Sequence, residues 1–393
     1  MLDTDFILPN YNGLNFINTI NTIKDAFGVQ CDTILSNKKA VELIKSSKKV
    51  VLLLVDAYGY KFYKESKNQS KFLKKIKSNG VVEKLTSQFP STTTAHVTSV
   101  VSGKSVSNHG FFEWFTYEKS IDEVFVPFLY NYEGKEDILP KENLFDDLRN
   151  SGVKTTVISP SYINDSSYSK LCFKADKIKG YDSLDEMFEK LIDSLKSDEG
   201  NNFYYMYYPN IDSTGHEYGM SSYQAQGEIT KFLKSLDKYM IDDEIKDTTF
   251  IITADHGQME IDMDRKIYLN ILVPGIEKYM KTHKDGNPIV PVGYNRDMFL
   301  YIKEEYLEEV YNILSKKLKG KARVYKVGEL YKMGVFLNPS RKFINNVGNL
   351  VILPYDKEAI WWYNEGKSEI KQKGSHGGLT KDEMEIPLLI YKF

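Results

Sequence analysis

The chain has 393 residues, of which 41% are hydrophobic and 27% charged, with a formal net charge of −2. That length exceeds one small core and suits one large α/β domain carrying an insertion. The near-neutral balance gives no basis for a polyanion-binding surface, so no nucleic-acid polymer is expected as a partner.

At the N-terminus, Met1 to Asp5 lacks a basic region followed by an apolar run, so no signal peptide is visible. No stretch approaches the roughly 20 apolar residues of a membrane span, and the expected location is cytoplasmic, without a membrane partner. Residues 14–28 have helical spacing with a stop at Gly28. Cys31 and Cys172 have no metal-type spacing; they suggest two buried thiols, with a disulfide as the alternative. The apolar run 50–55 predicts a strand buried on both faces, ending at Asp56. Helical spacing returns through Phe72, Leu73 and Ile76, and 81–86 predicts a short strand. Pro90-Ser91-Thr92-Thr93-Thr94 then sets a hydroxyl cluster where a helix begins. Free N–H groups and the helix dipole favour a phosphate there, although Ser and Thr are also ordinary N-caps. Asn108-His109-Gly110 opens an aromatic patch of Phe111, Phe112, Trp114, Phe115 and Tyr117, either a stacking surface or a loop packed on the core.

Residues 153–160 predict another strand, 184–195 a helix, and 203–208 a strand running into Asp212, with His216 four residues later. That spacing aligns the pair on a helix face, while Gly215 equally permits a tight loop. A helix over 228–240 precedes the strand 249–253, which stops at Asp255-His256-Gly257. Alone, Asp-His-Gly is a weak motif whose plain meaning is a capped turn. From 262 to 342 the pattern changes to a strand at 296–302, an amphipathic helix at 307–318 and a strand at 321–327. Residues 349–354 return to a sheet-like run, His376 lies in a glycine-rich loop, and 386–391 is a last apolar segment. The expected division is a core of 1–261 and 343–393 with a small α+β insertion, 262–342, as a cap. Alternating strands and helices predict an α/β fold with a doubly wound, mainly parallel sheet.

In such a sheet the strand carboxyl ends share one edge, where open α/β sheets bind ligands. Asp56, Asp212, Asp255 and His256 converge there, joined by Thr93, His216 and, from the C-terminal region, His376. A lone strand-end Asp is most often a helix cap, but several segments ending alike weaken that explanation. These side chains suffice for two divalent metals with mixed nitrogen and oxygen ligation. Two ions at roughly 3.5–4 Å clamp the attacking and leaving oxygens of an in-line displacement, and one activates a threonine hydroxyl. The expected chemistry is phosphoryl or phosphodiester transfer through a phospho-threonine.

Over 50–103, 204–219, 250–257 and 374–387 the motifs resemble the alkaline phosphatase superfamily, specifically its nucleotide pyrophosphatase/phosphodiesterase branch. The resemblance implies a doubly wound core and a two-zinc site, with other divalent metals such as manganese as alternatives. Carried over by motif, Asp56 in Val-Asp-Ala-Tyr-Gly binds one metal with Asp255 and His256. Asp212 and His216 in Asp-Ser-Thr-Gly-His bind the other with His376. Pro-x-x-Thr followed by Ser102-Gly103 sets the nucleophile, also a metal contact, at Thr93, with Thr92 and Thr94 as one-residue alternatives. The branch carries an asparagine after His-Gly that binds a non-bridging phosphate oxygen; here that position is Trp114, whose single indole donor has a different shape. His-Gly-x-x-Glu-Trp is similar to bacterial phosphodiesterases of the superfamily, and no arginine or lysine maps to a phosphate clamp. The implied substrate is a small phosphoester, of nucleotide type in this branch, with Phe111, Phe112 and Trp114 as candidate contacts. A phosphomonoesterase using the same site and a non-catalytic metal-dependent binding protein are the competing readings.

Overall fold

The computed structural model describes residues 2–241, 245–366 and 368–393. Apolar, β-branched runs supply the strands β1 (Lys49–Val55), β2 (Val81–Thr86), β3 (Lys154–Pro160), β4 (Lys177–Tyr181), β5 (Asn202–Tyr208), β6 (Thr248–Thr253), β7 (Met298–Leu300), β8 (Ala322–Lys326), β9 (Leu350–Pro354) and β10 (Glu385–Lys392). A seven-stranded sheet runs in the order β2-β10-β6-β1-β5-β3-β4. Its pairings are parallel except those of β10, which is antiparallel to both β2 and β6. The carboxyl ends of the other strands therefore share one edge, and the amino end of β10 meets them there. Val55 lies opposite Tyr208, and Leu54 opposite Thr253, so three chains leave the sheet at one level.

All of β6, and all of β1 after Lys49, is buried, so the central strands are covered on both faces. Each such aliphatic side chain contributes roughly 1.5–3 kcal/mol by leaving water. Two helix groups provide the cover. In one, Phe16–Ala26 packs on α1 (Thr93–Ser102), which also meets Leu144–Asn150; in the other, α2 (Asn210–Tyr218), Lys71–Asn79 and Leu184–Ser197 surround Tyr223–Met240. The predicted helix at 14–28 is Phe16–Ala26, begun by an Asn15 capping box. Neither cysteine is bonded; Cys172 is buried, but Cys31 is partly exposed rather than fully buried as expected. Among the described residues no helix is long and apolar enough to cross a membrane.

A second, antiparallel sheet has the order β7-β9-β8. Its central strand comes from beyond residue 342, so the expected boundary cuts through this sheet. Residues 349–354 resemble a core strand in sequence because β9 is buried on both faces. Val351 and Leu353 join one apolar cluster with Phe299 and Tyr325, while Leu350 and Ile352 join another with Met298 and Val324.

Arg296 ties this smaller part to the last loop of the chain. Its guanidinium donates from Nε and Nη2 to the two oxygens of Glu383, each at 2.9 Å, and from Nη1 to the Tyr355 carbonyl at 2.8 Å. Both partners are fully buried. Glu383 also accepts the Gly378 N–H at 3.0 Å and the Thr380 hydroxyl at 2.5 Å. Breaking such a pair leaves a buried charge unanswered, which typically costs about 3–5 kcal/mol. Glu383→Gln is expected to lower unfolding free energy by about that amount in a denaturant titration. An unchanged midpoint and slope would show that the pair does not brace the loop.

Candidate active site

The shared edge gathers two groups of side chains, each with potential ligand atoms all within 4.8 Å of one another. The first is Asp56, Asp255 and His256, all buried. His256 Nε2 lies 3.4 Å from Asp56 Oδ1 and 3.4 Å from Asp255 Oδ2. The second is Asp212, His216 and His376, each half-buried. His216 Nε2 is 3.3 Å from Asp212 Oδ2 and 3.2 Å from His376 Nε2, which is 3.5 Å from Asp212 Oδ1. Asp212 and His216 share a face of α2, so the helical alternative for this motif holds. Gly215 between them is needed for space, since a Cβ there would come within 2.0 Å of Gln258 Oε1. Gln258 Nε2 in turn donates to Asp212 Oδ1 at 2.7 Å.

The three imidazoles are oriented alike. Nδ1 of His216 meets the Gly374 carbonyl at 2.7 Å, that of His256 the Gly257 carbonyl at 2.9 Å, and that of His376 the Ser91 carbonyl at 3.0 Å. A carbonyl only accepts, so each Nδ1 carries the proton and each Nε2 presents its lone pair inward. This is the arrangement in which outer-shell bonds orient metal-binding histidines.

Electrostatics of Asp56, Asp255, His256 and His376 point the same way, whereas His216, despite burial, is raised by the neighbouring Asp212. Burial, then Asp255 and Asp212, raises Asp56 well above the usual carboxylate range. Burial, then Asp212, pushes Asp255 up to about 7. Asp255 Oδ1 accepts N–H groups of Ala57 and His256 at 3.2 and 3.0 Å, whereas Oδ2 is buried without a partner. Burial drives His256 and His376 well below the ordinary histidine range, keeping them neutral. Crowded carboxylates, an orphaned oxygen and inward lone pairs together fit divalent cations in both groups.

Thr93 begins α1, beside the first group. Its hydroxyl is 3.3 Å from Asp56 Oδ2 and 3.2 Å from His256 Nε2. Of the three neighbouring threonines, Thr92 is engaged elsewhere as the N-cap, donating to the Phe112 carbonyl at 3.1 Å and accepting the Ala95 N–H. Thr93, Asp56, Asp212, His216 and His376 all face a cavity of about 510 Å³. A shallower hollow of about 950 Å³ beside Tyr162 contains none of them.

Of the aromatic patch only Trp114 reaches the cavity. Phe111 and Phe112 do not: both are buried, Phe111 against Phe125 and Tyr132, Phe112 against Phe299 and Phe343. Their expected role as substrate contacts is replaced by a packing role, because the chain after Gly110 turns these rings inward. Two residues escaped the sequence reading. Tyr207 donates to Asp56 Oδ2 at 2.5 Å, and Gln258 steadies Asp212. Tyr207 is near the end of an aromatic strand with nothing to distinguish it, whereas Gln258 directly follows Asp-His-Gly and that adjacency is a usable signal.

Residues 50–379 match the model of the type I phosphodiesterase/nucleotide pyrophosphatase family. Comparison with curated proteins by sequence gives no match. Among solved structures, murine ectonucleotide pyrophosphatase/phosphodiesterase 5 aligns over 88% of each chain at 17% identity, with a TM-score of 0.67. Phosphonoacetate hydrolase from Sinorhizobium meliloti, in complex with phosphonoacetate, aligns over 88% of this chain and 91% of its own at 16% identity, with a TM-score of 0.65. At these identities the likeness is one of fold.

The donor sets predict about two divalent ions per chain by elemental analysis. Asp255→Asn is expected to retain about one, and chelation to lower the melting temperature, since ligand binding to the folded state adds to stability. Full metal content in the Asp255→Asn protein would remove that residue from the first group.

Proposed function

The chain belongs to the type I phosphodiesterase/nucleotide pyrophosphatase family, and from that premise we propose a two-metal hydrolase that cleaves phosphodiester or pyrophosphate bonds through a phospho-threonine at Thr93. The observation that carries this reading is the Thr93 hydroxyl at the start of α1, within 3.2–3.4 Å of Asp56 and His256. Zinc suits the mixed imidazole and carboxylate donors, with manganese the second choice, and such ions supply Lewis-acid polarisation and a more acidic hydroxyl.

The chain's own groups then divide the work. Asp56 and His256 hold the hydroxyl, and Tyr207 orients Asp56 through its hydrogen bond. First-turn N–H groups of α1 and the helix dipole favour an anionic phosphoryl group beside Thr93. Thr93 Oγ1 attacks phosphorus; a new P–O bond forms as the bond to the leaving oxygen breaks, and that oxygen departs with the electron pair and takes up, through solvent, the proton that the threonine hydroxyl gives up. Water then attacks the same phosphorus, releasing the phosphate product and restoring the threonine hydroxyl. The cavity wall carries no lysine or arginine among the described residues, while Trp114, Phe128 and Tyr162 offer apolar surface. That lining favours a diester, with one negative charge and an organic substituent, over a more highly charged monoester.

Bis(4-nitrophenyl) phosphate turnover is expected to exceed 4-nitrophenyl phosphate turnover in the metal-loaded enzyme. Thr93→Ala should lower diester turnover by at least about 10³-fold with metal content intact, as loss of a nucleophile does elsewhere. Full turnover by a folded, metal-replete Thr93→Ala protein would rule out the covalent route.

A further inference from the structure

The wall of the candidate active-site cavity continues into a second concavity. A groove of about 530 Å³ opens beside it, and Leu129 lines both. Aromatic rings make the same join again. Tyr294 on the cavity wall packs against Phe115 and Trp361 on the groove wall, with ring centroids 6.2 and 5.4 Å apart. Leu129 is 74% exposed and Val290, also in the groove, is 43% exposed, so apolar side chains face water along this path. A folded chain seldom leaves such side chains together at its surface unless something covers them.

The lining of the groove limits what that cover is. No charged side chain lines it among the described residues. Of its few polar groups, the Tyr130 hydroxyl donates to Glu123 Oε2 at 2.7 Å and the Ser368 hydroxyl to the Trp362 carbonyl at 3.1 Å, which leaves Asn364. A nucleoside would bring a base edge and ribose hydroxyls to walls with little to pair them, and an unpaired polar group that leaves water is costly. A peptide strand carries an N–H and a C=O at nearly every residue and meets the same penalty. A saturated hydrocarbon chain brings no polar atom, and its burial is favoured in proportion to the area removed from water.

We infer that the groove is a subsite for a long aliphatic substituent of the phosphodiester, which passes Leu129 and lies against Trp361, Trp362 and Val290. The inference rests on the reading of the cavity as the place where Thr93 meets phosphorus, and it narrows the substrate class to aliphatic diesters. Such a substrate keeps its one negative charge at the carboxyl edge of the sheet and directs an uncharged chain outward. Cavity and groove alike have no lysine or arginine in their walls among the described residues, as that division of charge requires. Leu129 and Val290 determine specificity by covering the chain, not by meeting phosphorus.

The test compares 4-nitrophenyl alkyl phosphates with methyl, butyl and octyl chains in metal-loaded protein, below the aggregation concentration of each ester. Full burial of one methylene favours binding by about fourfold, and an open groove gains part of that, so kcat/KM is expected to rise about 10²-fold from methyl to octyl. Leu129→Glu and Val290→Glu, both at exposed positions, should each cut that octyl-to-methyl ratio by roughly tenfold. A wild-type ratio near one, or a ratio unchanged in both variants, would overturn the inference. So would faster turnover of thymidine 5′-(4-nitrophenyl phosphate) than of the octyl ester, which would assign the walls to a nucleoside. Binding is read separately with methyl 8-bromooctyl phosphate, whose bromine quenches indole fluorescence on contact. All three tryptophans of the chain, Trp114, Trp361 and Trp362, line the cavity or the groove. Saturable quenching is expected in wild type and in Thr93→Ala, and weaker by roughly tenfold in Val290→Glu. Absence of quenching in the folded wild-type protein would overturn the inference, as would a dimer in solution that Leu129→Glu dissociates, which would give this face to a second copy. Quenching requires no turnover. An inactive protein that still binds the bromo ester therefore keeps the groove and loses the covalent route, whereas turnover indifferent to chain length does the reverse.

Discussion

Two buried carboxylates that meet where β1 and β6 end set the terms for everything around them. Asp56 and Asp255 are brought together by strand direction and register, with Leu54 level with Thr253 across the pairing. Neither can remain ionised cheaply in that position, and one Asp255 oxygen has no hydrogen-bond partner. Divalent cations bound there would offset that excess. The imidazoles, each with Nδ1 tied to a carbonyl, are already turned to share them. The sheet is thus a device for collecting negative charge at one edge, and α1 adds a hydroxyl and a helix N-terminus at the same place.

Reversal of β10 completes the site. A strand that enters the sheet from the opposite side brings the preceding loop, and His376 with it, to the edge where the other strands finish. That loop is secured from the smaller part of the molecule by the buried Arg296–Glu383 pair, while Tyr294 and Gln372 help enclose the cavity. Stability and enclosure of the cavity therefore draw on the same junction. The smaller sheet is more than an appendage, because its neighbouring segments help hold one of the histidines in place.

Much of the candidate site's convergence is legible in the sequence because one physical pattern recurs there. Continuous apolar runs ended at Asp56 and Asp255, and parallel strands must finish on a common side, so their meeting followed from the pattern. Asp212 and His216 were also legible, although helix and loop were equally compatible until the space around Gly215 was known. The same rule does not say which sheet residues 349–354 join, because a strand buried on both faces has one signature whether it lies in a parallel or an antiparallel sheet. Phe111 and Phe112 were ambiguous for a related reason, since an aromatic ring is equally at home in a core and in a binding wall.

The most direct test of the central claim is the stereochemical course at phosphorus. A P-chiral phosphorothioate diester would be hydrolysed in isotopically labelled water and the product configuration determined. Attack by Thr93 followed by attack of water is two in-line displacements, and the predicted result is net retention. Net inversion would mean that water attacks the substrate directly and would contradict a phospho-threonine intermediate.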